Sequence, residues 1–290
     1  MVSSPEKPHR DDWAGRRVIV AGGTSGFGLV LARHLAARGA RLLVVGRSSE
    51  SVRRALEQLP GEPGRCLGTA ADLARPGEGG RVVGEALDRF GGLDDLFFCV
   101  GRSGRARILA TGTAELSAFL EANLLSAVEI TQAAADDVAA SAGHMVYVGS
   151  LAGKLVTPWM GPYAVAKSAL AAWVDAVRLE MAPRGAHVLL VSPGPIRRVD
   201  DDTGGSFDRY AAEVAAGGLP AEANRPGGGG LARLDPDRLA ERILAACQRR
   251  SSELVVPGKA AFLAGLVEWF PDLGRRLLVR FTRESGKNAG

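Results

Sequence analysis

Apolar positions along this chain fall in short unbroken runs that alternate with stretches of helical spacing. Residues 16–21 read as a short buried strand. Residues 26–38 then carry Leu29, Val30, Leu35 and Ala36 at helical intervals, and Gly39 supplies a C-cap. The alternation continues with a strand at 42–45, a helix at 51–59, a strand at 65–70, a helix at 79–90 and a strand at 96–100. A long alanine-rich helix follows at 114–140, then a strand at 144–148, a helix at 162–181 and a strand at 187–191. Pro162 fits the first turn of its helix. A helix at 236–249 and a strand at 254–256 complete the series.

None of these strands alternates apolar with polar positions, so each is buried on both faces. Strands of that kind, separated by helices, form a parallel sheet with helices on either side. The expected fold is therefore α/β: a Rossmann-type doubly wound parallel sheet in three α/β/α layers. It is a single domain over residues 14–258 with a C-terminal helical extension at 259–290. Residues 1–13 read as a disordered polar tail. Residues 195–235 are rich in Gly, Asp and Pro and read as a substrate loop, with short helical pieces near 207–216.

The extension changes the picture at one end. Leu263, Leu266, Val267, Trp269 and Phe270, then Leu273, Leu277, Leu278 and Phe281, are interspersed with Arg275, Arg276 and Arg280 and broken at Pro271. Such an amphipathic segment suits peripheral contact with a membrane surface, a cap over a pocket, or docking on a neighbouring subunit. No apolar run reaches the roughly 18 residues of a membrane span.

Composition narrows the classes further. The 290 residues are 46% hydrophobic, enough for one large core. A net charge of +4 with scattered arginines reads as solvated surface, and no nucleic-acid partner is expected. Cys66, Cys99 and Cys247 are odd in number and far apart, which suits a reducing, cytoplasmic setting. Residues 1–12 lack the apolar core of a secretory signal. His9, His34, His144 and His187 show no metal-ligand spacing, so no metal site is expected.

The chemistry concentrates in two places. Ala21-Gly22-Gly23-Thr24-Ser25-Gly26-Phe27-Gly28 joins the first strand to the first helix. Its glycines permit a tight turn and close approach, and a helix N-terminus offers N–H groups to a pyrophosphate. At the end of the second strand, where an acid would bind a ribose 2′-hydroxyl, stand Arg47 and Ser48. A planar guanidinium and a hydroxyl suit a 2′-phosphate, hence NADP(H) over NAD. The second place is Tyr163 and Lys167, one helical turn apart on one face, with Ser150 thirteen residues before the tyrosine. A nearby cation favours the phenolate, which fits a tyrosine for proton exchange.

With these residues the chain resembles the short-chain dehydrogenase/reductase family over residues 14–195, and more loosely over 236–256. The family's TGxxxGxG appears as AGGTSGFG, with Ala21 in place of the threonine. Asp72 and Leu73 resemble the adenine-contacting segment. The family's NNAG is replaced by Phe98-Cys99-Val100-Gly101, which leaves the backbone of Val100 and Gly101 as the cofactor contact. Pro193, Gly194 and Ile196 resemble the segment beside the nicotinamide, with Arg197 where a threonine is frequent. The resemblance implies a catalytic set of Asn123, Ser150, Tyr163 and Lys167.

It also implies hydride transfer between nicotinamide C4 and a carbonyl or alcohol carbon. Tyr163 then acts as general acid and base, and Ser150 orients the oxygen. Lys167 holds the nicotinamide ribose, and Asn123 retains a water beside Lys167. Paired helices across a homodimer or homotetramer interface are implied as well, on the small alanines of the Tyr163 helix. Leu155, Val156, Pro158, Trp159 and Met160 suit either an apolar, lipid-like substrate pocket or simple loop packing. Arg102, Arg105 and Arg107 suit either a solvated loop or an acidic substrate group. The alternative function is a non-catalytic NADP-binding regulatory or scaffold protein, which need not keep Ser150, Tyr163 and Lys167 together.

Overall fold

A computed structural model describes residues 13–197, 210, 213–220, 223 and 232–287. Its elements run β1 (Arg17–Ala21), α1 (Gly26–Ala37), β2 (Arg41–Gly46), α2 (Ser49–Leu56), β3 (Cys66–Ala70), α3 (Glu78–Phe90) and β4 (Asp95–Phe98). They continue with α4 (Thr113–Leu120), α5 (Ser126–Ala140), β5 (His144–Val148), α6 (Gly161–Met181), β6 (His187–Pro193), α7 (Pro236–Gln248) and β7 (Glu253–Val256). Two further helices close the described chain, α8 (Gly258–Trp269) and α9 (Pro271–Lys287).

The seven strands pair in parallel in the order β3-β2-β1-β4-β5-β6-β7. The direction of winding reverses between β1 and β4, whose ends align at Ala21 and Phe98. In such sheets the carboxyl ends of the strands at the reversal open a crevice where ligands bind. One apolar cluster joins Ile19, Leu43, Leu96, Met145 and Leu190 to α3, α5 and α6. A second, on the other face, joins Val18, Val20, Val44, Phe97 and Leu189 to α1 and α7. That two-sided burial is why the strands read as continuous apolar runs.

Several boundaries differ from expectation for local reasons. Trp13, assigned to the tail, is only 4% exposed and packs on Phe97 and His144. Residues 1–12 lie outside the described residues. Strand β4 stops at Phe98 because the next two residues turn against Gly22. The single helix expected at 114–140 is two helices joined by a π-helical turn, Glu121–Leu125. Most of the expected substrate loop lies outside the described residues. Within it, Tyr210 and residues 213–215 are helical. Arg197 pairs with Asp235, the residue whose carboxylate caps α7 by accepting from the Arg238 amide. A side chain at the threonine position of the resemblance is thereby tied to the next helix.

The C-terminal pieces pack as a pair, with Gly274 pressed on Val267 at a distance where a Cβ would clash. Trp269, Phe270 and Leu273 remain exposed at their junction, and Phe262 is exposed earlier in α8. Among the described residues no helix is long and apolar enough to cross a membrane.

Candidate active site

The turn after β1 is built for close approach. Gly22 adopts φ of 77°, and a Cβ there would stand 3.0 Å from the carbonyl carbon of Cys99 and from the Val100 amide nitrogen. At Gly28 a Cβ would come within 2.1 Å of the Gly22 carbonyl oxygen. Only glycine lets the first turn of α1 lie so near the strand it follows. Gly26 also has positive φ, 52°, and faces open space. Ser25 occupies the N-cap of α1 without a side-chain capping bond. Thr24 packs its side chain over Gly46 at the end of β2. Phe27 packs on the apolar cluster beneath.

Arg47 and Ser48 follow β2 directly and are exposed. The Ser48 hydroxyl oxygen accepts from the Ser51 amide, capping α2, and the nearest carboxylate in sequence, Glu50, points to Arg54 at 3.9 Å. No acid therefore follows β2 directly. Asp72 accepts from the Ala74 amide at 3.2 Å and lies 3.6 Å from Arg75, while Leu73 is buried beneath it. Gly194 donates to Val256 at 2.7 Å, and Ile196 bridges to Leu234, which extends the end of β6 beyond Pro193.

The four residues expected to be catalytic converge on the crevice. Ser150 follows β5 and its hydroxyl accepts from the Ala152 amide at 3.1 Å. Burial lifts the pKa of the Tyr163 phenol, and the Ser150 hydroxyl draws it back. Lys167, one turn along α6, has its Nζ 6.0 Å from the centre of the Tyr163 ring and donates to the Val148 carbonyl at 3.0 Å. Asn123 sits in the π-helical turn, fully buried. Its Nδ2 donates to the carbonyls of Arg102 and Phe119 at 3.0 and 2.9 Å. Its Oδ1 is buried without a partner among the described residues. A Cβ placed on Gly101 would stand 2.8 Å from that oxygen and 3.1 Å from Lys167 Nζ. One glycine thus leaves an ammonium and an orphaned acceptor facing one small space. A buried acceptor of this kind calls for a water or a ligand donor.

Burial sets the charges here. Lys167 is only 4% exposed, and desolvation pulls its pKa down to about 8. A base with a depressed pKa is charged at a cost in the native state at every pH below that value, and the cost disappears as the unfolded chain also loses its proton near 10.5. The Lys167→Met variant of the cofactor-free protein should therefore be more stable at pH 7, by about 2 kcal/mol after the lost Val148 bond is counted. Denaturant midpoints should show that advantage shrinking between pH 8 and pH 10.5. A methionine variant less stable than the parent at pH 7 would refute the burial cost. The Cys99 thiol, at the asparagine position of the resemblance, is pushed up to about 12 by burial and stays neutral.

A family model described as short chain dehydrogenase matches residues 16–202. The chain belongs to that family. It is 30% identical over 283 residues to dehydrogenase/reductase SDR family member 7B of Danio rerio, covering 93% of this chain and 87% of the relative. The ketoacyl reductase HetN of Nostoc is 24% identical over 243 residues, covering 83% and 78%. A solved short chain dehydrogenase of Burkholderia cenocepacia, in complex with NADP, superposes with a TM-score of 0.73 at 20% identity, covering 92% of this chain and 98% of that one. The fold and the oxidoreductase class follow.

Three residues far apart in sequence meet at the opposite end of the sheet. His144, His187 and Cys247 are buried with their ligand-capable atoms within 4.8 Å of one another. The two histidines share a hydrogen bond between their Nδ1 atoms at 2.8 Å, and His187 Nε2 donates to the Ser251 carbonyl. Sequence spacing gave no sign of this cluster because two strands and a helix bring it together.

Proposed function

We propose that this short-chain dehydrogenase uses NADP(H) to interconvert a carbonyl and a secondary alcohol on an apolar or lipid-like small molecule. The observation that carries the reading is the meeting of Ser150, Tyr163 and Lys167 at the sheet's carboxyl edge, joined through Gly101 and Val100 to the Gly22 turn. The residues present fit the cofactor. The pressed glycines leave a cradle, the buried Asn123 oxygen awaits a donor, and Lys167 faces the same space. The Arg47 guanidinium and the Ser48 hydroxyl would hold a 2′-phosphate, and Lys167 the nicotinamide ribose.

When bound, the nicotinamide supplies or takes the hydride. Ser150 orients the substrate oxygen, and Tyr163 gives it a proton in reduction or removes one in oxidation. Asn123 Oδ1 and Lys167 Nζ hold a water that passes the proton onward. The NADP in the Burkholderia structure and the ketoacyl reductase names of the Nostoc and Streptomyces violaceoruber relatives support the cofactor and the carbonyl chemistry.

A panel of ketones and alcohols, followed at the nicotinamide absorbance with both cofactors, tests the function. NADPH should be preferred to NADH at least about tenfold in kcat/KM, and Arg47→Ala should erase most of that preference, as a charge-assisted bond of about 1.5–3 kcal/mol predicts. A tenfold preference for NADH would remove Arg47 from this role.

We further propose a homodimer or homotetramer. Val165, Ala172, Ala176 and Leu179 form an exposed apolar stripe along α6 that supports it. The three free thiols support a cytoplasmic setting. The exposed aromatic junction of α8 and α9, with Arg275 and Arg276 beside it, supports peripheral contact through the C-terminal segment.

A further inference from the structure

Away from the crevice, the amino end of the sheet gathers a second set of chemically able side chains. His144 opens β5 and His187 opens β6, and the two are direct partners in the strand register. Residues paired in this way send their side chains to the same face of the sheet. Cys247 reaches that face from the last turn of α7. All three residues are buried. Their ligand-capable atoms lie within 4.8 Å of one another, and the two Nδ1 atoms stand 2.8 Å apart. Ligand atoms on a tetrahedral ion, with bonds of about 2.05 Å to nitrogen and about 2.3 Å to sulfur, sit about 3.4–3.6 Å apart. The cluster brackets that span, so rotation of the rings and the thiol is enough to reach it. The ring planes cross at 87°, so they do not stack against each other. His187 Nε2 faces the Ser251 carbonyl at 2.8 Å. A carbonyl only accepts, so Nε2 carries the proton, and in the neutral ring the lone pair is on Nδ1. A backbone carbonyl holding the far nitrogen is a usual support of a metal-bound histidine.

We propose that His144, His187 and Cys247 bind one soft transition-metal ion, copper(I) or zinc, through a nitrogen of each ring and the Cys247 sulfur. Thiolate and imidazole are the ligands that such ions prefer. Binding forms three metal–ligand bonds and breaks the Cys247 S–H bond, whose proton leaves to solvent. Each imidazole stays neutral, with its one proton on the nitrogen away from the ion. Charge separates the two ions. Copper(I) with one thiolate and two neutral rings is uncharged, whereas zinc leaves a positive charge in a buried place, which is costly. The carboxylate of Asp95, which accepts from the His144 amide at 2.8 Å, is already paired with Arg16. Copper(I) is therefore the better fit. An ion there ties β5 and β6 to α7. The site lies at the other end of the strands from Ser150 and Tyr163, and it does not rest on the redox reading.

The test uses the full chain, unfolded with a chelator and refolded with copper(I) under a thiol-free reductant in one arm and with zinc in the other. Loading during refolding suits a buried site. After gel filtration the parent should keep about one copper(I) per chain by native mass spectrometry. X-ray absorption at the metal edge should show a sulfur neighbour. Cys247→Ser should weaken binding by more than about 100-fold, since loss of even a supporting partner costs about 10- to 100-fold. The ion should raise the denaturant midpoint of the parent and leave that of Cys247→Ser where it was. Zinc kept in place of copper(I) supports the same site with the other ion. Retention of neither ion overturns the proposal, and so does an ion held equally by a folded Cys247→Ser protein or a coordination shell without sulfur. The cluster is then a hydrogen-bonded histidine pair beside a thiol. If Cys247→Ser fails to fold, His187→Gln, whose amide can keep the Ser251 bond, takes its place with the same expected loss of the ion. A parent that does not refold is loaded by expression in medium containing the ion. No arm reads turnover of a carbonyl or alcohol, so a failure here leaves the redox reading untouched.

Discussion

Replacing Tyr163 with Phe should lower kcat/KM for a ketone of the panel by about 10²- to 10⁴-fold, the usual contribution of a positioned general acid. NADPH affinity should stay within about threefold, because the variant keeps the ring and loses only the hydroxyl. The asymmetry follows from the geometry. The Ser150 hydroxyl acts on the phenol, whereas Lys167 Nζ and Asn123 Oδ1 face a small space at Gly101, and the ring that the variant keeps lies 6.0 Å from that Nζ. Among the described residues, the Cys99 thiol is held neutral by burial and Lys167 is turned to the Val148 carbonyl, which leaves the phenol as the group poised to give a proton. Stopped-flow reduction and quenching of protein fluorescence by NADPH measure the two effects separately. Activity within tenfold of the parent would mean that another group carries the proton. Loss of activity and NADPH binding together would mean that the hydroxyl shapes the crevice and does not merely serve it.

The sheet was readable because strands covered on both sides leave continuous apolar runs, as Val18 to Ala21 and Leu42 to Val45 do. Tyr163 and Lys167 were readable because their relation is local: four residues on one helix have one geometry. Asn123 was readable only by resemblance. Its burial depends on the π-helical turn at Glu121–Leu125, which adds a residue to one turn and rotates the amide inward. No apolar period marks that turn in an alanine-rich stretch. Arg105 was harder still. Its setting is made by Met160, 55 residues away, and Tyr210, 105 residues away, so the arginine alone suited a solvated loop as well as a binding role. The apolar segment from Leu155 to Met160 was expected to line a pocket or to pack a loop. Trp159 and Met160 bond to the loop after β4, which is loop packing, while Val156 stays exposed.

The largest expected loss of stability lies away from the chemistry, at the amino end of the sheet. Asp95 opens β4 with no exposed side-chain surface, and its carboxylate takes two bonds from Arg16, both 2.6 Å, and one from the His144 amide at 2.8 Å. It thus ties the chain before β1 to the first residue of β5 across the middle strand. Trp13 covers the same corner, with the Arg16 guanidinium carbon 5.7 Å from its ring centre. Asp95→Ala would strip a cation of its partner and leave the His144 amide without an acceptor. Breaking a buried pair in this way costs about 3–5 kcal/mol, and because the Arg16 side chain keeps 22% of its surface exposed the lower end applies. The denaturant midpoint should fall accordingly, while NADPH binding in the surviving folded fraction stays unchanged. Arg16→Met should cost at least as much as Asp95→Ala, since it leaves a fully buried carboxylate without its cation, whereas Asp95→Ala leaves a cation that is partly exposed. Joining it to Asp95→Ala should recover part of the loss, because the unpaired charge is gone and only the amide remains unsatisfied. A double variant no more stable than Asp95→Ala alone would show that the corner is held by Trp13 packing and the His144 bond, with the ion pair a bystander.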